Sequence, residues 1–277
     1  MRINTNVAAL QAQRAMSEHN KTVENASGKL AAGTRVRSAA DDAASLAIGN
    51  KTKTEIRSKT AALRNANDAI SEFQIAEGSM NEISSMLVRL KELSMQASNG
   101  HLQNEQRQLI NVEYMAMRRE IERVIHDTSR NGFDVLASTG GSQIREYQIG
   151  TGNDSQSKFR VDQGNFALTE FNMGLVDSTV VNAEEARLNL GYIDQAIQKV
   201  SSARANLGAV QNRVESAINN LDISKTNESA SYSQTMDADY AFEASEKIRG
   251  EIKLDAASSI LAQSSNFSAM ALKLLKD

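Results

Sequence analysis

Three histidines, one pair of adjacent aspartates and one short Gly-Thr-Gly stretch are the places where this sequence could begin to assemble a reaction centre. His19, His101 and His126 stand far apart in the chain, none has a second histidine four residues away, and no HExxH occurs, so no zinc-protease spacing exists. They are expected to be solvated or packing histidines. Asp41 and Asp42 are neighbours, and adjacent side chains on a helix point to different sides, which is poor geometry for sharing a proton. They read as a helix start, where negative charge suits the N-terminal dipole. Gly150-Thr151-Gly152 lacks the GK[ST] ending and the following helical stripe of a phosphate loop, and is expected to be a hairpin turn. With no cysteine there is no disulfide framework, cysteine zinc cluster or thiol nucleophile. The expectation is a protein without catalytic residues, metal or cofactor.

The elements that carry these residues are long helices. Pro and Trp are absent and aromatics make up 4 %, yet apolar residues reach 40 %, supplied mainly by Ala, Leu, Ile, Val and ten Met. A proline inside a helix costs about 3 kcal/mol, so a chain with none can hold long uninterrupted helices. The formal net charge of −3, with both signs spread along the chain, provides no basic field for nucleic acid. No apolar window approaches a membrane span or a secretory signal peptide.

Phe73, Ala76, Met80, Ile83, Leu87, Leu90, Leu93 and Ala97 recur at gaps of three and four, which places them on one helical face within 54–98. Asn99-Gly100 is a stop, and Ile110, Tyr114, Met117, Ile121 and Val124 form a second stripe ending near Asn131-Gly132. The two should pair antiparallel through a short connection. Seven of the fifteen glycines lie in 140–191, where the helical period disappears. There Tyr147 with Ile149 and Phe159 with Val161 flank the turn-rich GTGNDSQS, and a β-hairpin is expected. Over 183–222, Ala186, Leu190, Ile193, Ile197, Val200, Leu207, Val214, Ile218 and Leu221 fit a heptad seam interrupted at Arg204 and Gln211. Forty residues at 1.5 Å each give a rod of about 60 Å. The fold class is therefore mainly α: long antiparallel coiled-coil helices forming a rod, with a small β-hairpin in the middle.

The two ends, 1–40 and 233–277, have helical propensity but poor stripes. Their few large apolar residues, Ile3, Val7, Leu10, Ile252, Leu261, Phe267, Met270 and Leu274, cannot build a core within one molecule. Such helices are marginal alone in water and are expected to be ordered only against partners.

Several long blocks, in order, carry a resemblance. NTNVAALQAQR (4–14), LAAGTRVRSAADDAASLAIGNK (30–51), NANDAISEFQIAEGSMNEISSMLVRLKELSMQASNG (65–100) and NGFDVL (131–136) at the front, with VSSARANLGAVQNRVESAINNL (200–221) and DADYA (237–241) at the back, resemble bacterial flagellin over almost the whole chain apart from roughly 137–182. The resemblance implies an inner-tube domain formed by pairing an N-terminal helix (1–42) with a C-terminal one (233–277). It implies an outer-tube rod domain (43–232) closed by a β-hairpin at about 137–180, with little or no surface insert. Many family members carry a proline within the last dozen or so residues. Here that stretch reads QSSNFSAMALKLLKD, so the final helix is expected to run straighter or longer.

The implied function is a secreted, extracellular structural subunit, exported unfolded by the flagellar type III apparatus, that self-assembles into a helical filament for motility. The partners it implies are further copies of the chain, an export chaperone, the cap and the hook-associated proteins. The alternative is a hook–filament junction protein, a relative that shares the terminal helices. The segment 87–100 is similar to one bound in the family by the innate-immune Toll-like receptor for flagellin. Arg89, Leu93 and Glu113 match that contact, beside a primary role in subunit packing.

Overall fold

A computed structural model describes residues 6–137, 144–152, 154–169, 173–176 and 178–274. It contains helices α1 (Val7–Ala32), α2 (Ala43–Ala97), α3 (Asn104–Asp127), α4 (Ala183–Met236) and α5 (Tyr240–Leu274). Strands β1 (Ser129–Arg130), β2 (Phe133–Asp134), β3 (Ile144–Gln148) and β4 (Lys158–Asp162) lie between α3 and α4. The fold is mainly α with a small antiparallel β region. It divides into two compact units, Met1–Ile56 with Thr226–Asp277, and Arg57–Lys225.

In the unit Arg57–Lys225, α2 buries Ala62, Ala66, Ala69, Phe73, Ala76, Met80, Ile83, Leu87, Leu90, Leu93 and Ala97. This is the stripe read from sequence, extended three positions towards the N-terminus. Cross-helix bonds fix the directions of the neighbours. Thr128 Oγ1 donates to Ser79 Oγ at 2.9 Å, Arg89 Nη2 to Glu113 Oε1 at 2.6 Å and Arg107 Nε to the Ala97 carbonyl at 2.9 Å, so α3 runs antiparallel to α2. Lys59 Nζ meets Ser224 Oγ at 2.6 Å, Gln211 Nε2 meets Glu77 Oε2 at 3.2 Å and Lys91 Nζ meets Asp194 Oδ1 at 2.6 Å, so α4 does the same.

The seam of α4 lies one residue earlier at every second position than its large side chains suggest. Ala186, Asn189, Ile193, Ala196, Val200, Ala203, Leu207 and Val214 are buried, with Val210 half-buried between the last two. Leu190, Ile197, Ile218 and Leu221 are half-buried at the flank or at the end of the seam, and Arg204 is exposed. The interruptions at Arg204 and Gln211 therefore vanish, because the seam passes through Ala203 and Val210. Ala196 and Ala203 alternate along the seam with Ile193, Val200 and Leu207, so large and small buried residues take turns on this face of α4.

Helix α3 ends at Asp127, before Asn131-Gly132. Those two residues, both at positive φ (53° and 79°), make the turn of the short hairpin β1–β2, a conformation that Asn and Gly adopt at least cost. The larger hairpin pairs β3 with β4 through Tyr147↔Phe159 and Arg145↔Val161. Its anchors are ionic and aromatic. Arg145 pairs with Glu72 of α2 and donates to the Asp134 carbonyl, Phe73 meets Tyr147 edge-on at 5.8 Å, and the Arg213 guanidinium stacks 4.9 Å from the Phe159 ring. Desolvation in this contact, with the Glu72 carboxylate next in importance, raises the Tyr147 hydroxyl well above its ordinary pKa, so it stays protonated.

Candidate functional site

No group of acidic or histidine side chains that could hold a metal occurs among the described residues. His19 is half-buried in α1, while His101 and His126 are exposed at opposite ends of α3. Asp41 and Asp42 divide one structural task. Asp42 caps α2, accepting from the backbone N–H groups of Ala44 and Ser45 at 3.0 Å each and from the Ser45 hydroxyl at 2.5 Å. Asp41 closes the preceding turn by accepting from the N–H groups of Arg37 and Ser38. The Ser45 hydroxyl holds the Asp42 pKa below its usual value, and the Arg37 N–H does the same for Asp41. Gly150 sits at the hairpin turn, where an added Cβ would lie 2.6 Å from the Ser157 backbone. The aspartate pair and the Gly-Thr-Gly stretch are thus occupied by folding.

The features left over are surfaces. In the first unit α1 and α5 run antiparallel, tied at one end by Asn6 Nδ2 to the Ser264 carbonyl (2.9 Å) and Ser264 Oγ to Asn6 Oδ1 (3.1 Å). At the other end Lys29 Nζ meets Glu243 Oε1 at 2.9 Å. Apart from Glu243, the residues buried between them are small: Ala12, Ala26, Gly250 and Ala257. The ends expected to need partners therefore pair with each other, but through little apolar area. The larger apolar groups face out. Val7 and Leu10 are each 49 % exposed and Ile252 is 65 % exposed, with Tyr240, Phe242, Ile248 and Ile260 also exposed. Leu261 is half-buried; Ile3, and the side chains of Phe267, Met270 and Leu274, lie outside the described residues.

The second surface lies on the α2–α3 pair. Arg89 donates through Nε and Nη2 to Glu113 Oε1 and through Nη1 to Glu92, and the Glu113 bonds are the main reason its pKa is raised. Leu109, exposed on α3, shares the face of Glu113 at i−4. Leu93 does not join this patch. It is 1 % exposed, on the stripe between Leu90 and Ala97, because the fourth residue after Arg89 falls on the side of α2 that packs inward.

Residues 3–140 match the bacterial flagellin N-terminal helical region and residues 190–275 match the bacterial flagellin C-terminal helical region. A flagellin of Halalkalibacterium halodurans is 34 % identical over 276 residues, covering 100 % of both chains. This chain belongs to the bacterial flagellin family.

It is a short-form flagellin, aligned end to end with that relative, and a structural subunit of the flagellar filament. Longer flagellins match it in part: polar flagellin B/D of Vibrio parahaemolyticus is 39 % identical over 151 residues, 54 % of this chain and 39 % of that one. Among solved structures, a Bacillus cereus flagellin superposes with a TM-score of 0.51 at 25 % identity, over 57 % of this chain and 88 % of that one. A putative flagellar hook-associated protein from Vibrio parahaemolyticus superposes with a TM-score of 0.62 at 15 % identity, over 71 % of this chain and 100 % of that one, a likeness of fold alone. Full-length identity to a flagellin therefore separates the filament subunit from the junction protein.

Sequence reasoning missed the Lys29–Glu243 pair and the role of Gly250. The available signal was the seven-residue spacing of Glu243, Gly250, Ala257 and Ser264, hidden because none of the four is a large apolar residue.

Proposed function

We propose that the outward faces of α1 and α5 are the inner-tube contact through which subunits of this flagellin join, and that residues 43–232 form the outer-tube domain. The supporting observation is the row of exposed apolar residues on two helices whose mutual seam is built from small ones. Apolar surface left in water on this scale marks an interaction site, and a heterologous contact that does not close yields an open helical polymer. The chain has no catalytic role in this reading. It reaches the outside of the cell unfolded through the type III flagellar apparatus, with an export chaperone, the cap and hook-associated proteins as transient partners. No helix among the described residues is long and apolar enough to cross a membrane.

Replacing Ile248 and Ile252, exposed and one turn apart on α5, by Asp tests this. The monomer's melting temperature should stay within the shift of about 0.5 kcal/mol typical of surface changes. The critical concentration for polymerisation should rise at least about tenfold, the equivalent of 1.4 kcal/mol. Polymerisation at the parent's concentration would place the contact elsewhere.

A second surface reading concerns the innate-immune receptor. The exposed Arg89–Glu113 pair beside Leu109 has the composition of a binding hot spot, an arginine next to an apolar anchor. Arg89→Ala should weaken receptor binding of the monomer by about tenfold with its stability unchanged, since exposed ion pairs contribute about 0–1 kcal/mol. Leu93→Ala should instead lower stability by about 2–5 kcal/mol through a core cavity. Binding assays and thermal melts of both variants check the separation. Receptor affinity unaffected by Arg89→Ala would remove the patch from recognition.

A further inference from the structure

Asparagine followed by glycine occurs twice in the chain, at Asn99-Gly100 and Asn131-Gly132. In this dipeptide a backbone nitrogen can attack the preceding side-chain amide, because glycine carries no Cβ to obstruct it. The two sites are held differently. Asn131 and Gly132 both have positive φ and form the β1–β2 turn between the paired residues Arg130 and Phe133. Ring closure there requires Asn131 to leave the conformation that makes the hairpin. Asn99 and Gly100 are exposed at the corner between α2 and α3, and the Gly100 N–H donates to no group among the described residues. The Asn99 side chain is already folded over the following peptide, since its Oδ1 accepts from the His101 N–H at 3.2 Å. As the Gly100 nitrogen bonds to Cγ, negative charge gathers on that oxygen, where the His101 N–H stands ready to stabilise it.

The same corner holds a buried cation. Arg107 is 7 % exposed, and its Nε donates to the Ala97 carbonyl at 2.9 Å and its Nη2 to the Asn99 carbonyl at 2.9 Å. Its Nη1 donates to Asn104 Oδ1 at 3.2 Å. All three acceptors are uncharged. A buried charge without a counter-charge is costly, and the C-terminal dipole of α2 offsets only part of that cost. The Asn99 carbonyl also accepts from the Leu102 N–H at 3.3 Å, so two donors polarise it.

We propose that Asn99 is a self-modification site of this chain, deamidating through a cyclic imide, and that Arg107 steers the product to isoaspartate. The Gly100 nitrogen bonds to Asn99 Cγ and yields its proton to water. The Cγ–Nδ2 bond breaks and ammonia leaves, taking a proton. Water then opens the ring, so the net change consumes one water and releases one ammonia. Attack at Cγ gives aspartate. Attack at the main-chain carbon gives isoaspartate, whose new carboxylate is the former main-chain carbonyl of Asn99. That carbonyl is the one Arg107 already holds. The guanidinium draws electrons from it, which favours attack there, and gains the carboxylate partner it lacks. A hydrogen bond between two charged groups is stronger than one to a neutral carbonyl. Deamidation at this corner is independent of the polymer contact proposed above.

The test holds the purified full chain in mildly alkaline buffer for days, either folded or unfolded in urea. Mass spectrometry of the peptides carrying each site follows the exchange of NH2 for OH, and labelling by an isoaspartate methyltransferase separates the two products. In the folded chain Asn99 should convert several-fold faster than Asn131, and in urea the two rates should converge. The ratio of isoaspartate to aspartate at 99 should be several-fold higher folded than in urea. Arg107→Gln, which keeps a donor but not the charge, should return that ratio to its urea value with the helicity of the parent. Equal rates at the two sites in the folded chain, or faster conversion at Asn131, would overturn the site. A ratio that is the same folded and in urea would overturn the role of Arg107 without recourse to a variant. So would a parent-like ratio in Arg107→Gln.

Discussion

Deleting residues 1–20 or 258–277 abolishes filament formation while the unit Arg57–Lys225 stays folded: that is the expected result of either truncation. That unit has its own core, built from Phe73, Met80, Ile83, Leu87 and Leu90 on α2 with Tyr114, Ile121, Val200 and Leu207 from α3 and α4. None of it comes from the deleted residues. The α1–α5 pair has no such reserve. Removing residues 1–20 takes away Asn6, Ala12 and His19, and the remaining dozen residues of α1 are too few to form a stable helix alone. Removing 258–277 takes Ser264, the last tie at that end. Circular dichroism should show loss confined to the severed helix and its former partner, and sedimentation under polymerising conditions should leave the truncated chain in the supernatant. Normal filaments from either truncation would show that the terminal helices are not the joint between subunits.

The largest effect of a single substitution is expected from Val200→Asp. Val200 is 1 % exposed on the α4 seam, and an unpaired carboxylate there costs several kcal/mol, or forces itself to bind a proton at nearly the same expense. Set against a typical total of about 5–15 kcal/mol, a loss of about 3–5 kcal/mol lowers the melting temperature by about 10 °C. A neighbouring pair fixes the seam more sharply. Ala203→Asp should melt early and Arg204→Asp close to the parent, because Ala203 is 4 % exposed while Arg204 faces solvent. Glu215→Gln, also exposed, should be silent. Thermal melts of the four variants decide the matter, and equal shifts for positions 203 and 204 would put the seam where side-chain size alone suggested it.

That pair also shows how much of the molecule was legible in its sequence. The α2 stripe could be read directly, because its buried positions are mostly large apolar residues and periodicity is then visible. The α4 seam could be found but not placed to the residue. Half of its buried positions are Ala or Asn, and a reading weighted by size shifts to Leu190 and Ile197, which border the seam. Helices α1 and α5 carried almost no signal of this kind. Their contact depends on Ala12, Ala26, Gly250 and Ala257, and small residues mark close approach without leaving an apolar stripe. The hairpin β3–β4 was announced by alternation at Tyr147 and Phe159, whereas β1–β2 was concealed in an Asn-Gly that reads equally as a helix stop. At the Arg89–Glu113 patch, four-residue spacing put Leu93 beside Arg89. Between neighbours at i and i+4 a helix can still turn one side chain into the core and leave the other at its edge. Only the position of the antiparallel partner decides which.

Whether this chain polymerises through its terminal helices can be seen by seeding the purified full chain and imaging the product by negative-stain electron microscopy. Long helical filaments should grow from the added seeds at the expense of monomer, and none should grow when either terminal helix is deleted. Monomers or closed oligomers of fixed size in the presence of seeds would contradict this expectation.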